Sequence, residues 1–414
     1  MTWFDVIWIA IFIMIFTAAT ALSLRLHGGV ATPLLFFIGG YCIAVVLYHL
    51  RLFHYPDVSI ETHLAVILSL AAFALGALLG AARPRYVSRP WDHRGLSLFF
   101  YTTTVLSTLG WSLPLAIILA RHGAAHLLAN MWILEYEFQM QFIGYLNLLG
   151  VLVFPAFLIK GRRSGARAID WIFLASSFIG LFLAGNKSYL VYALFGGVLA
   201  HSTISPRAVK IRHLLILGWA VLAFFVAYNQ IIDVLGASAF TESKIPGPVA
   251  FLERPYHYFT GALPAMEQVV RGLMPPRPVP SFATLQPLWK VAGDLLGIVD
   301  PIPRALPEVN IGPYAFNVYS FAGEVYWDWG PIGVGVLSLL LGWTLTKLYL
   351  RASADGIWEM TLLYAVFGYG AVTAFFLYYY RFNTFFLAGY IVIAGAAARW
   401  VSSRSPRPTP DAPG

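Results

Sequence analysis

Apolar runs of about twenty residues, separated by short polar or basic connections, recur along nearly the whole chain. That spacing is the pattern of helices that cross a bilayer, and it leaves little room for a soluble core. The runs predict about eleven spans, at residues 4–24, 31–50, 62–82, 96–120, 142–160, 168–185, 188–203, 213–232, 330–350, 357–379 and 383–400. Between the eighth and the ninth the pattern changes. Residues 233–329 are polar and proline-rich, with apolar stretches too short to span, and a loop of that length with that aromatic content reads as functional rather than disordered. The expected architecture is therefore an all-α, polytopic integral membrane protein. It has an amino-terminal bundle over 1–232, a large outer loop with short interfacial helices over 233–329, a carboxyl-terminal bundle of about three spans over 330–400, and a disordered tail over 401–414.

Composition agrees, at 59% hydrophobic and 11% charged residues. The segment from Phe4 to Leu24 contains Asp5 and has no basic residue ahead of it, so it reads as a retained first span rather than a signal peptide. The single cysteine, Cys42, lies in an apolar run and allows neither an internal disulfide nor a thiolate metal site.

A net charge of +8 raises the question of nucleic acid, but the basic residues sit in clusters between spans. Arg83, Arg85, Arg89 and Arg94 follow the third span, Lys160, Arg162, Arg163 and Arg167 the fifth, and Arg207, Lys210 and Arg212 the seventh. With Lys347, Arg351, Arg399, Arg404 and Arg407 they fall on one side of alternating connections, as cytoplasmic loops do. The amino terminus and the large loop are then outside and the carboxyl terminus inside. No nucleic-acid partner is expected.

Connections on the inner side are short and no Gly-rich phosphate loop occurs, so the chain holds no nucleotide-driven motor. There is no Asp-x-Asp and no cysteine pair, and neither a metal nor any other cofactor is expected. Serine-hydrolase signatures are missing as well. What remains is a set of arginines, aromatics and isolated carboxylates on the outer side.

The densest group runs from Phe316 to Gly333 and contains Glu324 and Asp328, flanked by Tyr326, Trp327 and Trp329. If this stretch is helical the two carboxylates share a face, and a carboxylate in a partly apolar site can serve as a general base. Asp328, just ahead of Gly330-Pro331, also reads simply as the start of the next helix. In the loop, Phe251 to Leu273 reads as an amphipathic helix broken by Pro255 and Pro264. Arg254 and His257 lie three residues apart, and Glu267 and Arg271 four. These charges either face water or form an anion clamp in which Arg254 and Arg271 hold phosphate oxygens, with Arg277 and Arg304 able to join. Lys187 and Arg381, each at a span end, are interfacial anchors or phosphate ligands. Glu135 and Glu137, with Arg121 and His126 nearby, form a second acidic pair on another outer loop.

The run Asn317-Val318-Tyr319-Ser320-Phe321 with Glu324-Val325-Tyr326-Trp327-Asp328-Trp329-Gly330-Pro331-Ile332-Gly333 resembles the stretch that introduces a late span in O-antigen polymerases, the Wzy-type polymerases of oligosaccharide repeat units. Gly185-Asn186-Lys187-Ser188 resembles their Gly-x-Arg-Ser turn, with lysine where arginine is usual. Tyr256-His257-Tyr258-Phe259-Thr260-Gly261 resembles the aromatic-Gly segment of their large periplasmic loop. The resemblance implies a metal-independent glycosyltransferase of the bacterial inner membrane. Its substrate is an undecaprenyl-pyrophosphate-linked oligosaccharide, and its surroundings are membrane lipid and, in this family, a chain-length regulator. It further implies Arg254, Arg271 and Arg381 on the diphosphate with Lys187 in support, Tyr256 and Tyr326 against the glycan, Glu324 as base, and His257, whose ordinary pKa suits the role, or Asp328 as the alternative. An O-antigen ligase using the same donor is the nearest rival; a transporter or flippase of lipid-linked sugars is another, though no internal repeat or mid-span charge points to one.

The orientation is tested by cysteine labelling in a Cys42→Ala background. Glu242→Cys should react with a membrane-impermeant maleimide in intact spheroplasts, and Ser405→Cys only after lysis.

Overall fold

A computed structural model describes residues 2–53, 55–82, 92–124, 126, 142–183, 187–205, 209–234, 250–278, 282–296, 307–311, 314–354 and 357–404. These residues are overwhelmingly helical. The helices are α1 (Trp3–His27), α2 (Pro33–His49), α3 (Ile60–Ala81) and α4 (His93–His122), then a 3-10 turn (Phe142–Leu149) running into α5 (Gly150–Ser164). They continue with α6 (Ala168–Leu183), α7 (Lys187–Ile204), α8 (Ile211–Val234), α9 (Ala250–Thr260), α10 (Ala262–Val270), α11 (Gln286–Leu296), α12 (Ser320–Ala354), α13 (Trp358–Val372) and α14 (Phe382–Arg404). The described strands are β1 (Val309–Ile311) and β2 (Tyr314–Phe316), an antiparallel hairpin in which Val309 faces Phe316 and Ile311 faces Tyr314.

Among the described residues, six helical stretches are long and apolar enough to cross a membrane: α1, α3, α4, the 3-10 turn with α5, α12 and α14. Four shorter apolar helices lie at Pro33–His49, Ala168–Leu183, Ser188–Ile204 and Ile211–Phe224. Large apolar side chains such as Met14, Ile172, Ile216 and Ile393 are exposed, the reverse of a soluble surface and the composition a lipid-facing one needs. The fold is that of an all-α membrane protein.

Local chemistry sets the boundaries. Thr2 and Asp5 form a capping box at α1, Thr32 and Ser59 cap α2 and α3, and Gly28 ends α1 with φ 66°, the left-handed conformation glycine adopts without strain. In α12, Gly330 (φ 66°, ψ −166°) breaks the helix into two legs, and Pro331 follows at a position where a missing N–H costs nothing.

Three expectations change. The amphipathic stretch from 251 divides at Gly261, not at its prolines, because Pro255 lies inside α9 and Pro264 in the first turn of α10. There a Cβ on Gly261 would come within 2.9 Å of both the His257 carbonyl and the Phe316 ring. These helices do not merely rest on an interface either, since Glu253, Tyr256 and nearly all of α10 are buried. Finally, the helix expected over 357–379 stops at Val372. Beyond it the carbonyls of Ala374 and Phe376 accept from the start of α12 and the Tyr378 N–H donates to Glu324, and non-helical backbone persists in an apolar setting only where protein satisfies it.

The chain forms two compact units. One comprises 1–85, 205–351 and 366–385, the other 86–204, 352–365 and 386–414. In the first, Phe37 stacks on Phe73 at 4.0 Å with Phe321 edge-on, and α3 and α12 approach closely through small residues. A Cβ on Gly76 would fall 2.0 Å from the Leu339 carbonyl oxygen, and one on Gly342 would fall 2.2 Å from that of Phe73. In the second unit Lys160 and Asp170 form a buried ion pair to which the Tyr101 hydroxyl also donates. By sequence, Lys160 groups with the basic residues that follow the fifth span; here it is buried.

Backbone cannot yield as a side-chain tip does, so Gly76→Val and Gly342→Val should each cost at least about 1–3 kcal/mol, the range of an overpacked core. Gly218→Val, where a Cβ meets nothing within 4 Å, should be neutral; melting of the purified protein by intrinsic fluorescence reads the difference.

Candidate functional site

The first leg of α12 starts at Ser320, held at φ 57°. The N–H groups that open a helix have no partner within it, and here all four find one outside the helical ladder. Ser320 and Phe321 donate to the carbonyls of Phe376 and Ala374 (3.0 and 2.7 Å), Ala322 donates to the Tyr41 hydroxyl (2.9 Å), and Gly323 to Ser320 Oγ (3.1 Å). Stitching residues 373–381 to the helix start in this way brings Arg381 onto Glu324.

Glu324 is fully buried and accepts from Arg381 Nη2 on both oxygens (3.2 and 3.0 Å) and from the Tyr378 N–H (3.3 Å). About a third of the Arg381 side chain stays exposed, at 32%. One turn further on, Asp328 accepts from Arg277 Nη1 (3.0 Å) and from the Thr284 N–H (2.9 Å). The Arg277 guanidinium lies 3.7 Å from the centre of the Trp327 ring, and its buried Nη2 has no hydrogen-bond partner among the described residues. Trp327 Nε1 donates to the Pro275 carbonyl (3.0 Å), Trp329 Nε1 to Thr284 Oγ1 (2.8 Å), and the Phe382 N–H to Gln286 Oε1 (2.9 Å). Pro275, Arg277 and Thr284 are thereby held to α12, and Gln286 to Phe382.

The segment before Gly330 is helical, so Glu324 and Asp328 do share a face. Reading Asp328 as the start of the next helix is corrected: it is already inside a helix and its carboxylate secures Arg277 and Thr284.

On α10, Glu267 is buried and gathers the Ser59 N–H, Ser59 Oγ and Thr62 Oγ1 on one oxygen (3.0, 2.8 and 2.6 Å) and Arg271 Nε on the other (2.7 Å). Arg271 is otherwise mostly exposed. On α9, the Tyr256 hydroxyl donates to the Leu47 carbonyl, and burial pushes that phenol up to about 12. The Tyr55 hydroxyl bonds both His257 Nδ1 and Thr260 Oγ1 (the latter at 3.0 Å), and the Thr260 hydroxyl also lies 2.8 Å from the Tyr256 carbonyl oxygen. Burial, partly offset by Glu253, pushes the imidazole down to about 4, which replaces the ordinary value expected from sequence.

Tyr326 is half-buried against the core. Arg254 lies in α9 and Lys187 opens α7 of the other unit, but their side chains fall outside the described residues, as do Arg304, Glu135 and Glu137 altogether. Arg381 with Glu324, Arg277 with Asp328, and Arg271 with Glu267 are thus brought to one unit. The first pair is 57 residues apart and the second 51, and no local spacing could have revealed either.

Fold and site define a membrane-embedded helical protein whose polar centre consists of buried carboxylate–arginine pairs edged by tryptophans. Comparison with protein-family models, with curated proteins and with solved structures found no match.

Removing one partner of a buried ion pair strands the other charge and costs about 3–5 kcal/mol. Glu324→Gln and Arg381→Met should each destabilise strongly, while the double variant should lose clearly less than the sum; a double-mutant cycle by thermal melting reads the coupling.

Proposed function

We propose that this chain polymerises undecaprenyl-pyrophosphate-linked oligosaccharide repeat units, of O-antigen or a related surface polysaccharide, on the periplasmic face of a bacterial inner membrane. In this reading about eleven spans surround an outer loop over 233–329, with the amino terminus outside and the carboxyl terminus inside. The observation that carries it is Arg277, a buried guanidinium stacked on Trp327 with Nη2 unsatisfied among the described residues. A buried donor without a partner calls for a ligand or water, and arginine beside tryptophan suits a diphosphate attached to a sugar.

The chemistry follows from the pairing. The acceptor sugar's hydroxyl oxygen bonds to the anomeric carbon of the growing glycan. The bond from that carbon to the diphosphate breaks, and undecaprenyl pyrophosphate departs with the electron pair. Arg277, Arg381 and Arg271 bind the departing charge. A diphosphate that draws Arg381 away removes the counter-charge of Glu324, whose buried carboxylate then becomes the more basic and takes the hydroxyl proton. Asp328 keeps Arg277 in place. His257, neutral and engaged with Tyr55, is a second acceptor for that proton.

In a strain lacking the gene, Arg254→Ala, Arg271→Ala, Arg277→Lys and Glu324→Gln, each at wild-type abundance, should restore only glycans of one repeat unit. Long ladders from all four would overturn the site. Complete loss of attached repeat units in the null strain would favour the ligase. Polymerisation by purified protein should survive a chelator, and dependence on a divalent ion would contradict the metal-free mechanism.

A further inference from the structure

A second buried ionisable cluster, formed by α1, α2, α3 and the residues between the last two, takes no part in the proposed reaction. His49 Nδ1 lies 2.8 Å from Asp5 Oδ1, His49 Nε2 lies 2.8 Å from His63 Nε2, and His63 Nδ1 lies 2.7 Å from the Ser59 carbonyl oxygen. Asp5, His49 and His63 are at most 1% exposed. Trp8 stacks on His63 at 4.1 Å, and the edge contacts of Phe4 close over both rings.

Counting protons in this chain gives a definite result. Asp5 also accepts from Arg51 Nε on Oδ1 and from the Thr2 N–H and hydroxyl on Oδ2, the surroundings of an ionised carboxylate. His49 Nδ1 must therefore donate to it. A carbonyl oxygen only accepts, so His63 Nδ1 must donate to Ser59. A neutral imidazole has one N–H, so two neutral rings would turn bare Nε2 lone pairs toward each other at 2.8 Å. A cation has to lie between them. Tetrahedral zinc, at about 2.0–2.1 Å from each nitrogen, would hold them about 3.3 Å apart, and no metal-binding group of three such side chains occurs among the described residues. The separation is that of an N–H···N hydrogen bond.

We propose that His49 and His63 share one additional proton, forming a bis-imidazole cation site neutralised by Asp5 that fixes α10, and with it Arg271, to the bundle. The Trp8 face against His63 favours the positive ring. Arg51, itself paired with Asp57 (2.6 Å), balances the remaining charge, and Glu267 is the other carboxylate facing the site. The link to α10 is direct. His63 holds the Ser59 carbonyl, the Ser59 N–H and hydroxyl hold Glu267, and Glu267 holds Arg271. The histidines are therefore positioning residues, independent of whether the reaction above is the right one.

The test is nitrogen-15 NMR of the full chain in micelles, labelled at histidine, with His49 and His63 assigned by His49→Gln and His63→Gln. At neutral pH both Nδ1 atoms should be protonated, and one further proton should couple the two Nε2 atoms across the hydrogen bond. Two protons in total, or resonances that shift when a chelator strips a stoichiometric metal, would overturn the proposal. Independently, amide exchange of residues 262–271 should be about tenfold faster or more in Asp5→Asn, the effect of losing one charge-assisted hydrogen bond. Unchanged exchange would refute the coupling to α10. Should Asp5→Asn fail to fold, the wild-type spectrum still decides whether the proton is shared.

Discussion

A carboxylate deprived of water keeps its charge only if cations and N–H donors take water's place, and that requirement governs the architecture around the site. Glu324 is satisfied by Arg381 and the Tyr378 N–H, Asp328 by Arg277 and the Thr284 N–H, and Glu267 by Arg271 and the start of α3. Each of these partners comes from a different part of the chain. Meeting the need of one acidic residue therefore fastens a distant part of the chain: residues 373–381, Arg277 with Thr284, or the join between α3 and α10. The non-helical backbone after Val372 follows from the same constraint, because its carbonyls receive the N–H groups that open α12.

In the function proposed above, such a centre receives an anionic ligand. A guanidinium satisfied by a carboxylate can be transferred to a phosphate oxygen without exposing a bare charge to an apolar medium, and the carboxylate left behind becomes more basic. In the proposed reaction Arg277 and Arg381 make that exchange. They differ in that Arg381 reaches the surface while Arg277 is sandwiched against Trp327. The bis-imidazole site under α10 applies the same principle a second time, with a proton in the role of the cation.

Much of the fold was legible in sequence because an apolar segment long enough to span a bilayer has almost no other stable use. Each expected span overlaps a helix, though the one expected over 357–379 ends early at Val372, and among the described residues six helical stretches meet the length and hydropathy of a crossing. The polar stretch around Glu324 also stood out, since Glu, Asp and three large aromatics within a few residues are conspicuous in so apolar a chain. The spacing correctly put Glu324 and Asp328 on one face, as it put Glu267 within reach of Arg271. The helix break at Gly261 and the early stop at Val372 escaped notice, because prolines signal breaks more loudly than glycine does and nothing local separates Thr373 from a continuing helix.

The amino-acid sequence by itself determined the class of the protein, the positions of its helices and the kinds of side chain available to a site. Periodicity and hydropathy are local properties, and local rules suffice to read them. Only the tertiary structure decided which arginine met which carboxylate, that His257 meets the Tyr55 hydroxyl, and that Asp5, His49 and His63 form one chain of hydrogen bonds. Those outcomes depend on desolvation and on contacts between residues tens to hundreds apart. No spacing along the chain encodes them.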